Sequence, residues 1–114
     1  MTFRQIYLFV NRKEESERII AKYPDKIPVV CEKLYNSDPT ISKIKYLIPF
    51  DVSLSYFIFL IRKQEALKKE HGIFIIVNGF IPPTTMSFIQ LYNLFKDDDG
   101  FLYLNYSVES VFGS

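Results

Sequence analysis

Apolar residues recur at helical spacing from the start of the chain. In "TFRQIYLFV", Phe3, Ile6, Tyr7 and Val10 fall at intervals of three and four. "KEESERIIAKY" then sets Ser16, Glu17 and Arg18 against Ile19, Ile20 and Tyr23, which predicts a second amphipathic helix closed by Pro24. The period changes at "KIPVVCEKL", where branched Val29 and Val30 predict a strand and Pro28 implies an edge position or a strand start. "NSDPT" is a turn, and "KYLIPFD" is a short second strand ending near Pro49. Asp51 or Ser53 can cap the helix "SLSYFIFLIRKQEALKKE", whose Leu54, Phe57, Ile58 and Ile61 share a face. "GIFIIVNGFIPP" is a strand bounded by Gly72, with Asn78-Gly79 as a hairpin turn. "TTMSFIQLYNLF" returns to helical spacing, "KDDDG" turns the chain, and "FLYLNYS" alternates with period two as a last strand.

The expected order is two N-terminal helices followed by ββαββαβ. This is an α+β chain with the element order of the ubiquitin-like β-grasp roll, a mixed sheet with a main helix across one face. Residues 1–24 form a two-helix extension packed on the domain, 25–107 the ubiquitin-like domain, and 108–114 a flexible C-terminal tail. Such rolls serve as modifiers, docking domains and parts of enzymes, so the fold alone assigns no function.

Composition narrows the choice. The 114 residues suit one domain, and eleven Phe with eight Tyr are ample for one core. A net charge of +1 supplies no basic field to attract nucleic acid. The lone Cys31 excludes an internal disulfide and fits a reducing compartment. The N-terminus lacks a small-residue cleavage site, and the most apolar run, Leu54 to Ile61, is too short to span a bilayer; the default expectation is a soluble intracellular domain.

Catalytic readings find little support. Cys31 lies inside an apolar strand without a thiolate partner, and His71 sits in "KEHG", an expected exposed turn. No phosphate-binding glycine loop and no Cys/His pair at metal spacing occur. "KDDDG" lacks the later ligands of a calcium loop, and the alternating "RKEESER" reads as a solvated helix face. No catalytic residue, metal or cofactor is expected.

The segments "ESERI", "IPVVCEK", "KYLIP", "FIFLIRK", "IFIIVN" followed by "PPT", and "DDDGFLYLNYS" with "FG" near the end occur in one order over nearly the whole chain. In this respect the sequence resembles the autophagy ubiquitin-like modifiers of the GABARAP and microtubule-associated light-chain family, with a single-residue gap near "SDPTISK". The resemblance implies a chain trimmed by a cysteine protease after a glycine that follows Phe112. The freed carboxylate would pass through activating and conjugating enzymes to the amine of phosphatidylethanolamine. The product would be cytoplasmic when free and on autophagosomal or vacuolar membrane when lipidated, where it captures receptors bearing aromatic-x-x-aliphatic motifs. On this reading Gly113 is the conjugating residue and Ser114 a one-residue mask. A terminal glycine and serine taken alone read as a frayed end. An adaptor that keeps the receptor groove but is never conjugated is the alternative.

By the same resemblance, the aromatic pocket is lined by Glu15, Ile19, Pro28, Val30, Lys45, Leu47 and Phe101. The aliphatic pocket is lined by Tyr46, Ile48, Pro49, Val52, Phe57 and Leu60. Lys43, Lys45 and Arg62 are basic groups that attract the acidic flanks of receptor motifs. Strand alternation fits the division, since Lys45 and Leu47 point opposite to Tyr46 and Ile48. Read from periodicity alone, the aliphatic members are core residues. Three departures from the family pattern stand out. Gln64 replaces a basic residue that helps engage the processing protease. Leu8 replaces a proline between the first helices, which implies a different junction. "RQIYLFV" is more apolar than usual, so it either packs on its own domain or favours self-association or membrane contact.

Overall fold

The computed structural model describes residues 1–34 and 43–110. The turn read in "NSDPT" and the terminal Phe112, Gly113 and Ser114 lie outside the described residues. The elements are α1 (Phe3–Ile6), α2 (Phe9–Lys22), β1 (Lys26–Lys33), β2 (Lys45–Pro49), α3 (Leu54–Gln64), β3 (His71–Ile76), α4 (Phe88–Phe95) and β4 (Leu102–Ser110). The strands form one sheet in the order β2-β1-β4-β3, with a parallel central pair and antiparallel outer pairs.

Strand β1 is buried from Ile27 through Cys31, as a central strand covered on both faces must be. Ile27, Val29 and Cys31 join Tyr46, Ile48, Leu104 and Tyr106 in the main core, closed by Leu54, Phe57 and Ile61 of α3 and Phe88 and Leu91 of α4. Phe57 meets Tyr46 and Phe88 edge-on, with ring centroids 5.1 and 5.4 Å away. Each such buried aromatic contributes about 2 kcal/mol through the area it removes from water. On the other face Val30, Phe101 and Phe3 form a smaller cluster with Ile19, Ile44 and Tyr103, and this is where α1 and α2 sit.

Several expectations change in detail. The Asn78-Gly79 turn forms, with φ of 48° and 85° and paired backbone bonds of 2.9 and 3.1 Å between Val77 and Phe80. The second hairpin strand does not: it is a single bridge at Phe80, because Pro82 and Pro83 follow and have no N–H to extend a ladder. The observed order is therefore ββαβαβ plus that bridge. Pro28 lies in a central strand, not at an edge. Pairing with β4 begins only at Val29, so its missing N–H breaks no ladder bond. Helix α3 stops at Gln64, well before Glu70, because Ala66 adopts a positive φ of 50° and Leu67 turns into the core. Strand β4 runs through Ser110, pairing as far as His71, and so takes in the first residues of the segment read as a tail.

The first two helices break at Tyr7-Leu8. Leu8 holds φ −66° and ψ 147°, the geometry a proline would impose, so its substitution leaves the junction extended. The Arg12 side chain braces the break by donating from Nε to the Tyr7 carbonyl at 3.1 Å. Of the N-terminal apolar run only Phe3 packs onto the domain. Ile6, Tyr7, Leu8, Phe9 and Val10 all remain between 46 and 69% exposed.

Candidate functional site

The position of α2 is set by a buried polar cluster. Asp99, fully buried, pairs through its carboxylate with Arg12 and accepts from the Tyr103 hydroxyl, while its other oxygen accepts the Phe101 N–H at 2.8 Å. The Ser16 hydroxyl donates to the Asp99 carbonyl. Desolvation alone would lower the Arg12 pKa, but hydrogen bonding with Tyr103 and Asp99 outweighs it and raises the value. Burial, together with the Asp99 hydrogen bond, pushes the Tyr103 phenol strongly up. Gly100 has φ +92°, and a Cβ there would overlap the Ser16 side chain, so the loop can approach α2 only with glycine at this position. "RKEESER" is thus not wholly solvated: Arg12 and Ser16, one helical turn apart, face inward. Their i, i+4 spacing was the available signal, but polar residue types hid it. Asp97 and Asp99 of "KDDDG" serve this junction too, Asp97 by pairing with Arg4 at 3.2 Å.

Pinned in this way, α2 stands beside β2 and the two enclose a cleft of about 210 Å³. It is lined by Glu15, Ile19, Lys43, Lys45, Tyr46, Leu47 and Phe101. Five residues expected at the aromatic pocket converge here: Glu15, Ile19, Lys45, Leu47 and Phe101. Lys45 Nζ reaches across to Glu15 at 2.8 Å, an exposed pair that a ligand can displace at little cost. Val30 is fully buried in the cluster behind Phe101, not in the wall. Pro28 lines a different cleft, described below.

On the other side of β2, against α3, lies a cleft of about 420 Å³ lined by Lys43, Tyr46, Leu47, Ile48, Leu60, Lys63 and Gln64. Tyr46, Ile48 and Leu60 were expected there. Phe57 is instead wholly buried beneath Tyr46, and Val52 packs against the core. Pro49 ends the strand without lining the cleft. Arg62 turns away and donates to the Lys68 carbonyl at 3.2 Å; the basic rim is formed by Lys43, Lys45 and Lys63. Gln64 lines the cleft and lies 3.5 Å from the Tyr46 hydroxyl, which also donates to the Lys43 carbonyl at 3.1 Å. Burial raises the Tyr46 pKa to about 12, so the phenol is a neutral donor at physiological pH.

Between the clefts runs an edge. Strand β2 is outermost in the sheet and pairs only with β1 among the described residues. The bonds Cys31 N–H to Ile44 carbonyl and Phe50 N–H to Asp25 carbonyl set the phase of the ladder. Ile44, Tyr46, Ile48 and Phe50 therefore face β1 with their backbone groups, while Lys45 and Leu47 direct theirs outward. Pro49 is the next outward position, so its absent N–H costs the sheet nothing. An extended peptide can pair with this edge.

Cys31 is fully buried, and desolvation raises its pKa far above the usual thiol range. Strand β4 lies between it and the strand of His71, so the two form no dyad. No helix among the described residues is long and apolar enough to cross a membrane.

The described residues thus form a small ubiquitin-like roll with an open sheet edge between two clefts. Residues 11–113 match the family model described as autophagy protein Atg8, ubiquitin like. The chain is 48% identical over 113 residues to autophagy-related protein 8 of Coccidioides immitis, covering 98% of this chain and 97% of that one. It is 48% identical over 113 residues to the protein of that name from Saccharomyces cerevisiae, with the same coverage. Among solved structures, Trypanosoma brucei ATG8 superposes with a TM-score of 0.89 at 32% identity, covering 99% of this chain and 98% of that one. Plasmodium falciparum Atg8, solved in complex with a P. falciparum Atg3 peptide, gives 0.86 at 34% identity, covering 96% and 98%. The chain belongs to the Atg8 family of autophagy ubiquitin-like proteins.

Proposed function

We propose that this chain is a modifier, trimmed after Gly113 and joined to phosphatidylethanolamine, that docks receptors carrying aromatic-x-x-aliphatic motifs. The observation that carries the docking half is the open β2 edge with a cleft on each side. In an extended strand, residues i and i+3 point to opposite faces. A peptide paired with Lys45 and Leu47 would thus send its aromatic anchor toward α2 and its aliphatic anchor toward α3. The lysines on the rim favour acidic flanks and raise the association rate.

The conjugation half rests on Gly113 and family membership. A glycine carboxylate is unhindered, and Phe112-Gly113 can thread a narrow protease slot. The Atg3 peptide bound to the P. falciparum relative supports a conjugating enzyme as partner. Two acyl chains would then hold the protein stably on a membrane where one would be marginal. Free chain would be cytoplasmic, and lipidated chain would sit on autophagosomal or vacuolar membrane.

The test is intact mass after incubating the full-length chain with processing protease, activating and conjugating enzymes, ATP and phosphatidylethanolamine vesicles. Wild type should lose Ser114 and then gain one phosphatidylethanolamine, and Gly113→Ala should form no lipid adduct. An unchanged wild-type mass, in a reaction that conjugates a known relative, would instead favour the unconjugated adaptor.

A further inference from the structure

A third cleft, about 360 Å³, lies at the Pro49–Phe50 end of β2 and shares no lining residue with the other two. Ile20 and Pro24 at the end of α2, Ile27 of β1, Phe50, and Ile89 and Tyr92 of α4 form its walls. Ile20, Phe50 and Ile89 are 36, 44 and 36% exposed, so α2, the turn after β2 and α4 present apolar side chains to one concavity. The walls are held in place. The Phe50 N–H donates to the Asp25 carbonyl at 3.1 Å, the Ile89 N–H to the Phe50 carbonyl at 2.9 Å, and the Tyr92 hydroxyl to the Gly100 carbonyl at 2.8 Å.

This cleft adjoins the receptor groove. Its residue Pro28 stands opposite Leu47 in a non-hydrogen-bonded pair, the closer kind of cross-strand neighbour, and Leu47 walls both receptor clefts. Adjacent residues of α2 divide between the two sites, Ile19 facing the aromatic cleft and Ile20 this one. Among the described residues Lys26 is its one charged lining residue, and Lys96 Nζ stands 5.5 Å from the Tyr92 ring, so basic groups border this cleft as they border the groove. We infer that the cleft takes one apolar side chain from the receptor segment that leaves the β2 edge at its Pro49–Phe50 end, as a third anchor. The inference rests on the receptor-groove reading. It commits to an acidic, apolar-anchored peptide as occupant.

The test uses the full chain and synthetic peptides with a Trp-x-x-Leu core in acidic context. Each carries a Phe or a Ser four to six residues outside the core, on one side or the other. Phe on the side that passes Phe50 should tighten binding about tenfold over Ser, the gain expected for burying one side chain. Ile20→Lys and Ile89→Lys should each abolish that gain and leave the Ser peptides unchanged. A Phe gain below twofold on both sides, a gain that survives both substitutions, or self-association of the chain that Ile20→Lys removes would overturn the third anchor. Failure of the Ser peptides to bind wild type at all would count against the receptor groove itself.

Discussion

Asp99→Ala is expected to destabilise the chain by about 3–5 kcal/mol, the cost of leaving one partner of a buried ion pair without the other. Arg12 is 9% exposed and would keep its charge, with the Tyr103 hydroxyl as its remaining side-chain neighbour in the cluster. The Phe101 N–H would also lose its acceptor in a buried setting. For a domain of this size the melting temperature should fall on the order of 15 °C. The coupled variant Arg12→Met/Asp99→Asn removes the stranded charge and should recover a good part of the loss, since apolar replacement of a buried pair is often tolerated. Urea denaturation of the single and double variants reads both numbers. A loss below 1 kcal/mol for Asp99→Ala would mean that the cluster does not hold α2 in place.

Leu47→Glu is expected to weaken binding of a Trp-x-x-Leu peptide by about 100-fold while costing under 1 kcal/mol of stability. Leu47 is half-buried and contributes to both clefts flanking β2, so one substitution alters both of the proposed anchor sites. The new carboxylate would stand beside Glu15 and repel an acidic receptor flank, adding an unfavourable contact to the lost apolar one. Fluorescence anisotropy against wild type measures the ratio, and thermal melting guards against a folding defect. An affinity within threefold of wild type would place the peptide elsewhere.

These two residues also mark how far the sequence could be read. Leu47 belongs to a strand whose alternation is plain in "KYLIP", and the same alternation correctly separates Lys45 and Leu47 from Tyr46 and Ile48. The faces of α3 and the Asn78-Gly79 turn were legible for the same reason: the signal is local and periodic. Asp99 was not legible, because burial of a carboxylate is decided by Arg12 and Tyr103, which lie far from it or on another element. The same limit explains Phe57, Pro28 and Arg62. Which side chain lines a cleft depends on how α2, β2 and α3 meet, and no single segment of the sequence carries that information. The hairpin shows a further case, in which a correctly read turn was followed by prolines that could not continue the ladder.

If a receptor peptide pairs with the open edge of β2, as proposed, backbone amide exchange will register the pairing residue by residue. In the free protein the amides of Lys45 and Leu47 should exchange fast, since they point away from β1, while those of Tyr46 and Ile48 should be protected. Saturation with a Trp-x-x-Leu peptide should slow Lys45 and Leu47 by at least tenfold and leave their protected neighbours little changed. Unaltered exchange at Lys45 and Leu47 in the saturated complex would show that the peptide does not add to the β2 edge.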